Sequence, residues 1–192
     1  MQLYGSYTSP FVRHCRIALL EGKLDCEFIE TDLNGSAQGS PTQKVPFLRD
    51  GDLMLTDSCS ILMHLRAKSG GVFFDDAQDY DLFCMVNTVM DATVNLFFLE
   101  RDDKLGPAQS TYLARQNARI NSGLLQLDGR AWPLSLRAGS QALSEGELRL
   151  ACYLAWGLFR KRLSLDQYPA LAAFLRLAGE HPPFAETAPP GA

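Results

Sequence analysis

The sequence predicts two domains, an α/β domain followed by an all-helical domain. Strand and helix patterns alternate over residues 1–70 in the order β-α-β, loop, β-β-α, whereas only helical periodicity continues beyond residue 79. The length of 192 residues exceeds the roughly 100–150 residues most common for one domain. These observations place the domains at 1–70 and 79–192, with a linker over 71–78 that follows Ser69-Gly70.

The first half of the α/β domain is predicted to contain a strand, a helix and a second strand. The first strand covers Gln2–Gly5. Ser9 is a favourable N-cap and Pro10 suits the first helical position, so the helix begins there. Apolar residues then repeat at helical spacing until Gly22, a typical helix end. Alternating residues at 26–30 predict the second strand.

The second half is predicted to contain a loop, a hairpin and a helix. Residues 34–43 are rich in Gly, Ser, Pro and Gln, which favours a loop. Asp50-Gly51 separates apolar runs at 45–49 and 53–55, and an Asp-Gly pair in this setting predicts a β-hairpin. A helix is then expected to begin near Ser58.

Four segments of the second domain have the spacing of apolar residues that is typical of helices. The first segment ends before Gly106-Pro107, a pair that terminates helices. Acidic residues near its ends are expected to be solvated: Asp79, Asp81, Asp102 and Asp103. The four segments are 79–105, 108–127, 144–162 and 169–180.

The composition excludes several classes of protein. Hydrophobic residues make up 46% of the chain and charged residues 21%, so the chain has the apolar area that a disordered protein lacks. The net charge of −4 gives no support for nucleic-acid binding. The N-terminus does not resemble a signal peptide, and no apolar run approaches the roughly 20 residues that span a bilayer. We therefore expect a cytoplasmic protein without a membrane or nucleic-acid partner.

The cysteines favour a reducing compartment. Their number, five, is odd, and no Cys-x-x-Cys pair or Cys–His cluster has the spacing of zinc ligands, so no metal site is predicted. Free and mostly buried thiols are expected. The cysteines are Cys15, Cys26, Cys59, Cys84 and Cys152, of which Cys15 lies on the apolar face of the first helix.

Ser9 is the first candidate for chemistry. It precedes Pro10 at a helix N-terminus, where the dipole places about half a positive charge and the first N–H groups lack helical partners. A hydroxyl at this position can donate to an anion. The alternative is that Ser9 acts only as an N-cap.

Val45-Pro46 is the second candidate. A proline at the start of a strand removes a ladder donor, and its peptide bond is a candidate for the cis state. The exposed backbone of Val45 can then pair with an extended peptide. The alternative is an ordinary proline on an edge strand.

Asp57-Ser58 is the third candidate. The Asp57 carboxylate can accept from an ammonium group, and the Ser58 hydroxyl with nearby N–H groups can hold a carboxylate. These partners match the α-amino and α-carboxylate groups of an amino acid. The alternative is a simple helix cap.

Taken together and in this order, the three motifs make the sequence resemble a bacterial glutathione S-transferase of the serine type. The resemblance spans nearly the whole chain. Its N-terminal segments are Tyr7-Thr8-Ser9-Pro10-Phe11-Val12-Arg13, Lys44-Val45-Pro46-Phe47-Leu48 and Asp57-Ser58. Its C-terminal segments are Ser144-Glu145-Gly146-Glu147, Tyr168-Pro169-Ala170-Leu171 and His181-Pro182-Pro183-Phe184. The first of these is similar to the internal capping box of the family, although that box usually ends in Asp.

The resemblance implies a thioredoxin-like βαβ-ββα domain that binds glutathione, followed by a helical-bundle domain. By position, Ser9 would donate to the glutathione sulfur. Val45 would pair with the cysteinyl backbone of glutathione, and Asp57 and Ser58 would hold its γ-glutamyl end. The glycyl carboxylate would be bound by Asn34 or Lys44. Arg13, one turn into the helix, either adds a positive field or has only a structural role.

The resemblance also implies a reaction and partners. Glutathione would be a co-substrate, no cofactor would be needed, and a small hydrophobic electrophile would be the second substrate of a homodimer. Two alternatives stay open: a non-catalytic interaction module, or a glutathione-dependent peroxidase or reductase. The aromatic and Met residues of the long helix either form core or line the electrophile pocket. The candidates for that pocket are Tyr7, Phe11, Met90, Val94 and Phe97.

Overall fold

A computed structural model describes residues 1–74, 76–139 and 141–191. The chain folds into two compact units. Unit 1 consists of Met1–Asp75, Arg137–Ser144 and Gly179–Ala192, and unit 2 of Asp76–Leu136 and Glu145–Ala178. Each unit is thus assembled from segments that are distant in sequence. The domain boundaries proposed above, with a linker over 71–78, stay a prediction.

Unit 1 contains one mixed sheet of four strands in the order β2-β1-β3-β4. The strands are β1 (Gln2–Gly5), β2 (Glu27–Glu30), β3 (Phe47–Asp50) and β4 (Leu53–Leu55). β1 pairs in parallel with β2, whereas β3 pairs antiparallel with both β1 and β4. The thioredoxin-like βαβ-ββα arrangement is confirmed.

The hairpin was predictable from a two-residue turn. Asp50 pairs with Leu53, so Gly51 and Asp52 form the loop between β3 and β4. Gly51 has a φ of 60°, a left-handed conformation that glycine adopts without a steric penalty. The β-hairpin predicted from Asp50-Gly51 is confirmed, and its turn depends on the backbone conformation that glycine permits at position 51.

Three helices follow the strands of unit 1: α1 (Pro10–Glu21), α2 (Leu33–Gly39) and α3 (Ser58–Lys68). α1 and α3 begin where predicted. The prediction of a loop over 34–43 was wrong for its first part, which belongs to α2. The Asp32 side chain caps this helix by accepting from the N–H of Gly35 at 2.7 Å. Seven residues with two glycines give too little periodicity to predict this helix.

Unit 2 is helical, and its helices are α4 (Ala77–Phe98), α5 (Thr111–Asp128), α6 (Glu145–Phe159) and α7 (Pro169–Gly179). α4 continues into a π-helical turn, Leu99–Asp103, and packs against α5 and α6. The four predicted helices are confirmed with altered ends: α4 begins earlier and α5 ends later than predicted, whereas α6 and the end of α7 are shorter. A short α8 (Pro182–Glu186) belongs to unit 1.

One of the sequence expectations fails where α4 meets α6. The Asp79 side chain is half-buried and accepts from the N–H of Gly146 at 2.9 Å, so Asp79 is not a fully solvated helix end. A Cβ at Gly146 would lie 2.8 Å from Leu82 Cγ and 2.9 Å from the Asp79 carbonyl oxygen. Glycine at 146 therefore allows the two helices to approach closely, a benefit that offsets its low helix propensity.

Gly146→Ala is expected to destabilise the protein by about 1–3 kcal/mol, because the added methyl group overpacks this contact. Urea unfolding measures the change. Gly179→Ala is the matched control, since nothing lies within 4 Å of a Cβ at that helical position. Equal stabilities for the two variants would contradict the close-approach argument.

One helical stretch, Ala77–Asp103, is long and apolar enough to cross a membrane by length and composition alone, a feature that the sequence did not lead us to expect. A window within it has a mean hydropathy of 1.6, and 44% of that window is buried inside the protein. The core helix of a soluble protein also meets these criteria of length and composition.

The end of α1 contains a buried charged cluster. Glu21 contacts Arg66 of α3 at 2.6 Å and His181, which precedes α8, at 2.7 Å. All three side chains are buried, with exposures of 8%, 3% and 3%. Burial raises the pKa of Glu21 by more than Arg66 and His181 lower it. The cluster joins three segments of unit 1.

Candidate functional site

One end of the unit 1 sheet brings several chain turns together. Tyr4 at the end of β1 pairs with Phe47 at the start of β3. Leu55 at the end of β4 pairs with Leu48, also near the start of β3. The end of β2 lies beside the end of β1 because those strands are parallel. Four chain segments therefore meet at the same end of the sheet.

The predicted glutathione-binding residues lie on these segments. Ser9 follows β1, Asn34 follows β2, Lys44 and Val45 precede β3, and Asp57 follows β4. The sheet register thus gathers residues that are up to 48 positions apart in the sequence. Asn34 and Lys44 are exposed. Their assignment to the glycyl carboxylate stays a prediction.

Ser9 caps the N-terminus of α1. Its backbone is extended (φ −79°, ψ 128°) and its Oγ accepts from the N–H of Val12 at 3.4 Å. The side chain is half-buried. Among the described residues, the Ser9 hydroxyl donates to no protein atom. The cap uses the oxygen as an acceptor, so the hydroxyl proton is available to an anion at the positive end of the helix.

Val45 has an unused backbone. The Val45-Pro46 peptide bond is cis, the state that the sequence made a candidate. Val45 itself is half-buried and lies just outside β3. Within the described parts of the chain, neither its N–H nor its C=O forms a hydrogen bond. Both groups can therefore pair with an extended ligand.

Asp57 caps α3. Its Oδ1 accepts from the N–H of Cys59 at 2.7 Å, and its carbonyl accepts from the Ser60 hydroxyl at 2.9 Å. The carboxylate is exposed, whereas Ser58 is buried, with an exposure of 5%. No donor to Oδ2 of Asp57 lies among the described residues. Asp57 can therefore cap the helix and bind a cation at the same time.

The two pocket candidates of unit 1 lie near Ser9. The Tyr7 ring is tilted against Phe28, with 4.7 Å between the centroids, and its face meets the Arg16 guanidinium at 4.7 Å. Phe11 is half-buried in the first turn of α1. The sequence reasoning missed Arg16, because nothing in its spacing from Tyr7 indicates that the two side chains stack.

The three pocket candidates of unit 2 lie on α4 and differ in exposure. Met90 is completely buried, so a ligand reaches it only if neighbouring side chains move. Val94 is half-buried. Phe97 is also half-buried and packs edge-to-face on Trp156 with 5.7 Å between the centroids. The role of all five pocket candidates stays a prediction.

Arg13 is held by the C-terminal segment, residues 182–187, which consists of α8 and its C-cap. Its guanidinium lies 3.9 Å from the centroid of the Phe184 ring and donates to the carbonyl of Phe184 at 2.7 Å. It is 5% exposed. Of the two interpretations of Arg13, the structural one has direct contacts to support it. Cys15, further along this helix, is completely buried, as expected of a core thiol.

A depression of about 350 Å³ lies between α4 and α5 in unit 2. It contains none of the predicted site residues. Its lining residues are Met85, Thr88, Val89, Arg119, Ser122, Gly123 and Gln126.

Comparisons with known proteins agree with this geometry. A family model described as the N-terminal domain of glutathione S-transferases matches residues 3–72. A GST-like protein of Escherichia coli K12, called YibF, is 29% identical over the full length of both chains. Glutathione S-transferase Z2 of Arabidopsis thaliana is 26% identical over 98% of this chain and 91% of its own.

Solved structures with a similar fold include glutathione transferases. A glutathione transferase family member from Pseudomonas fluorescens Pf-5, solved with bound S-(propanoic acid)-glutathione, superposes with a TM-score of 0.80. It is 25% identical, and the match covers 98% of this chain and 99% of the other.

Proposed function

Because residues 3–72 match the N-terminal domain of glutathione S-transferases, we propose that the chain is a member of this family, and that it binds glutathione and transfers its thiolate to a small hydrophobic electrophile. The observation that supports this most directly is the Ser9 hydroxyl, whose proton is available at the N-terminus of α1. The unused backbone of Val45 and the exposed carboxylate of Asp57 lie at the same end of the sheet.

In the proposed mechanism, Ser9 stabilises a thiolate and does not act as a nucleophile. A free thiol has a pKa near 8.5 and reacts as its thiolate. Lowering this pKa by about two units requires roughly 2.7 kcal/mol. A hydrogen bond to a charged acceptor supplies roughly 1.5–3 kcal/mol, and the helix N-terminus adds up to about 2 kcal/mol. The two effects together are large enough.

The chemical step is a substitution or an addition at carbon. The thiol proton passes to water, the sulfur–carbon bond forms, and a leaving group departs with its electron pair or a double bond takes up a proton. Glutathione is the only co-substrate that this step needs, so the proposal includes no cofactor. We further propose a homodimer in the cytoplasm, as the family resemblance implies, and sedimentation velocity measures the subunit number.

Retention on glutathione-agarose, together with conjugation of glutathione to an activated aryl halide, tests the proposed function. Wild-type protein is expected to bind the resin and to accelerate conjugation. Absence of both effects, and of any glutathione-dependent rise in Tm, would favour a non-catalytic interaction module, because a ligand that binds only the native state must stabilise it.

Asp57→Ala is expected to weaken glutathione binding at least tenfold, because it removes the acceptor proposed for the γ-glutamyl ammonium group. Isothermal titration calorimetry measures the Kd. The substitution also removes a helix cap, at a cost of about 0.5–2 kcal/mol. Asp57→Asn separates the two effects, since asparagine caps as well as aspartate but has no charge. Wild-type affinity in the asparagine variant would refute the γ-glutamyl assignment.

A further inference from the structure

The turn that leads into α1 is only partly fixed by its own hydrogen bonds. The N–H of Ser9 donates to the Ser6 carbonyl at 3.1 Å, and the N–H of Thr8 donates to the Ser6 hydroxyl at 3.3 Å. Among the described residues, Tyr7 forms no hydrogen bond. Its position in the turn therefore depends on what packs against its ring.

Arg16 covers one face of that ring. Its guanidinium carbon lies 4.7 Å from the Tyr7 centroid and 5.4 Å from the Phe28 centroid. Burial lowers the pKa of Arg16, an effect that nearby Tyr7 and Glu186 oppose, and the guanidinium stays charged at neutral pH. A charged, planar group stacked on aromatic rings restricts their movement.

The C-terminal segment fixes Arg16 in turn. The Arg16 Nη1 donates to the carbonyl of Thr187 at 3.3 Å. Thr187 is 1% exposed, and its hydroxyl donates to the carbonyl of Pro183 at 2.9 Å. Arg13 holds the same segment through Phe184. The Thr187 carbonyl is therefore a fixed acceptor, and its position does not depend on Arg16.

We propose that Arg16 is a positioning residue for the proposed glutathione site, with the segment around Thr187 as its anchor. The contacts run from the Thr187 carbonyl through Arg16 to the Tyr7 ring, two residues before Ser9. The C-terminal segment thereby sets the direction of the Ser9 hydroxyl. This inference rests on the proposed function of Ser9.

Hydrogen exchange tests the positioning without glutathione. Arg16→Met is expected to accelerate amide exchange of the peptide covering residues 6–12 about fivefold or more, because the turn opens locally more often. A chain ending after Glu186, which lacks the Thr187 acceptor, is expected to show the same increase. Ile61→Val, a buried substitution in α3 that costs about 1 kcal/mol, is the stability control and leaves this peptide unchanged.

The pH profile of conjugation separates positioning from charge. Arg16→Met is expected to raise the apparent pKa of the bound thiol, measured from kcat/KM for the electrophile at saturating glutathione, by about one unit. This shift lowers kcat/KM about tenfold at pH 6.5, whereas KM for glutathione stays within about twofold of the wild-type value. Arg16→Lys keeps the positive charge but lacks the planar guanidinium, which can stack on the ring and donate a hydrogen bond at the same time. Its kcat/KM is therefore expected to fall as much as that of Arg16→Met.

Two results would overturn the proposal. One is unchanged exchange of residues 6–12 in Arg16→Met. The other is a wild-type pH profile in Arg16→Lys, which would mean that only the positive charge matters. If the wild-type protein does not conjugate glutathione, the proposed function fails, and the exchange data still decide whether Arg16 positions the turn.

Discussion

Ser9→Ala is expected to lower kcat/KM for glutathione conjugation about 10- to 100-fold near pH 6.5. The substitution removes a hydrogen bond to a charged acceptor, worth roughly 1.5–3 kcal/mol, while the helix N-terminus remains. The apparent pKa of the bound thiol should rise by about one to two units. Rates of the variant and the wild type should then converge near pH 9, where the thiol ionises without help.

The Ser9 experiment needs controls because Ser9 is also the cap of α1. Alanine at an N-cap costs about 0.5–2 kcal/mol of stability, whereas glycine costs only a few tenths. Ser9→Gly should therefore lose activity as Ser9→Ala does, with a Tm close to that of the wild type. Ser9→Thr keeps a hydroxyl and should retain most of the activity. Full activity in Ser9→Gly would rule out the thiolate role.

The sequence predicted features that depend on neighbouring residues. The start of α1 at Ser9-Pro10 and the turn at Asp50-Gly51 each depend only on residues a few positions apart in the sequence. The residue types alone are therefore enough to predict them. The glutathione-site candidates were found as motifs, and their common location followed from the sheet register, which no single motif contains.

Features that depend on distant residues were not predictable. The contact of Glu21 with His181 joins positions 160 residues apart, and the Arg16–Thr187 contact joins positions 171 apart. The sequence showed the His181-Pro182 motif but not what it packs against. The need for glycine at position 146 was equally invisible, because only the three-dimensional contact with Asp79 and Leu82 shows why a side chain does not fit there.

Glu21→Leu is expected to destabilise the protein by about 3–5 kcal/mol, since it removes the carboxylate that faces the buried Arg66 guanidinium. For a chain of this size, such a loss lowers Tm by roughly 10 °C. Differential scanning calorimetry measures it. Glu180→Leu is the matched control, because Glu180 is exposed and its loss should change stability by less than about 0.5 kcal/mol.

The double variant Glu21→Leu/Arg66→Leu tests why the single substitution is costly. Burial raises the pKa of Glu21, with the ion pair to Arg66 as the largest opposing effect, so desolvation outweighs the attraction between the charges. Replacing both partners with apolar residues should therefore recover at least half of the lost stability, although His181 still lacks its acceptor. Strictly additive losses would refute this account.

The raised pKa of Glu21 also determines how the difference in stability between the wild type and the double variant depends on pH. A carboxyl whose pKa is raised on folding binds more protons in the native state, so the shift stabilises the wild type below its ordinary pKa of 4.5. That contribution is lost as the pH rises through the raised pKa. The double variant should therefore gain stability relative to the wild type as the pH increases from 4.5 towards neutrality. The opposite trend in urea unfolding would mean that attraction to Arg66, and not burial, dominates the ionisation of Glu21.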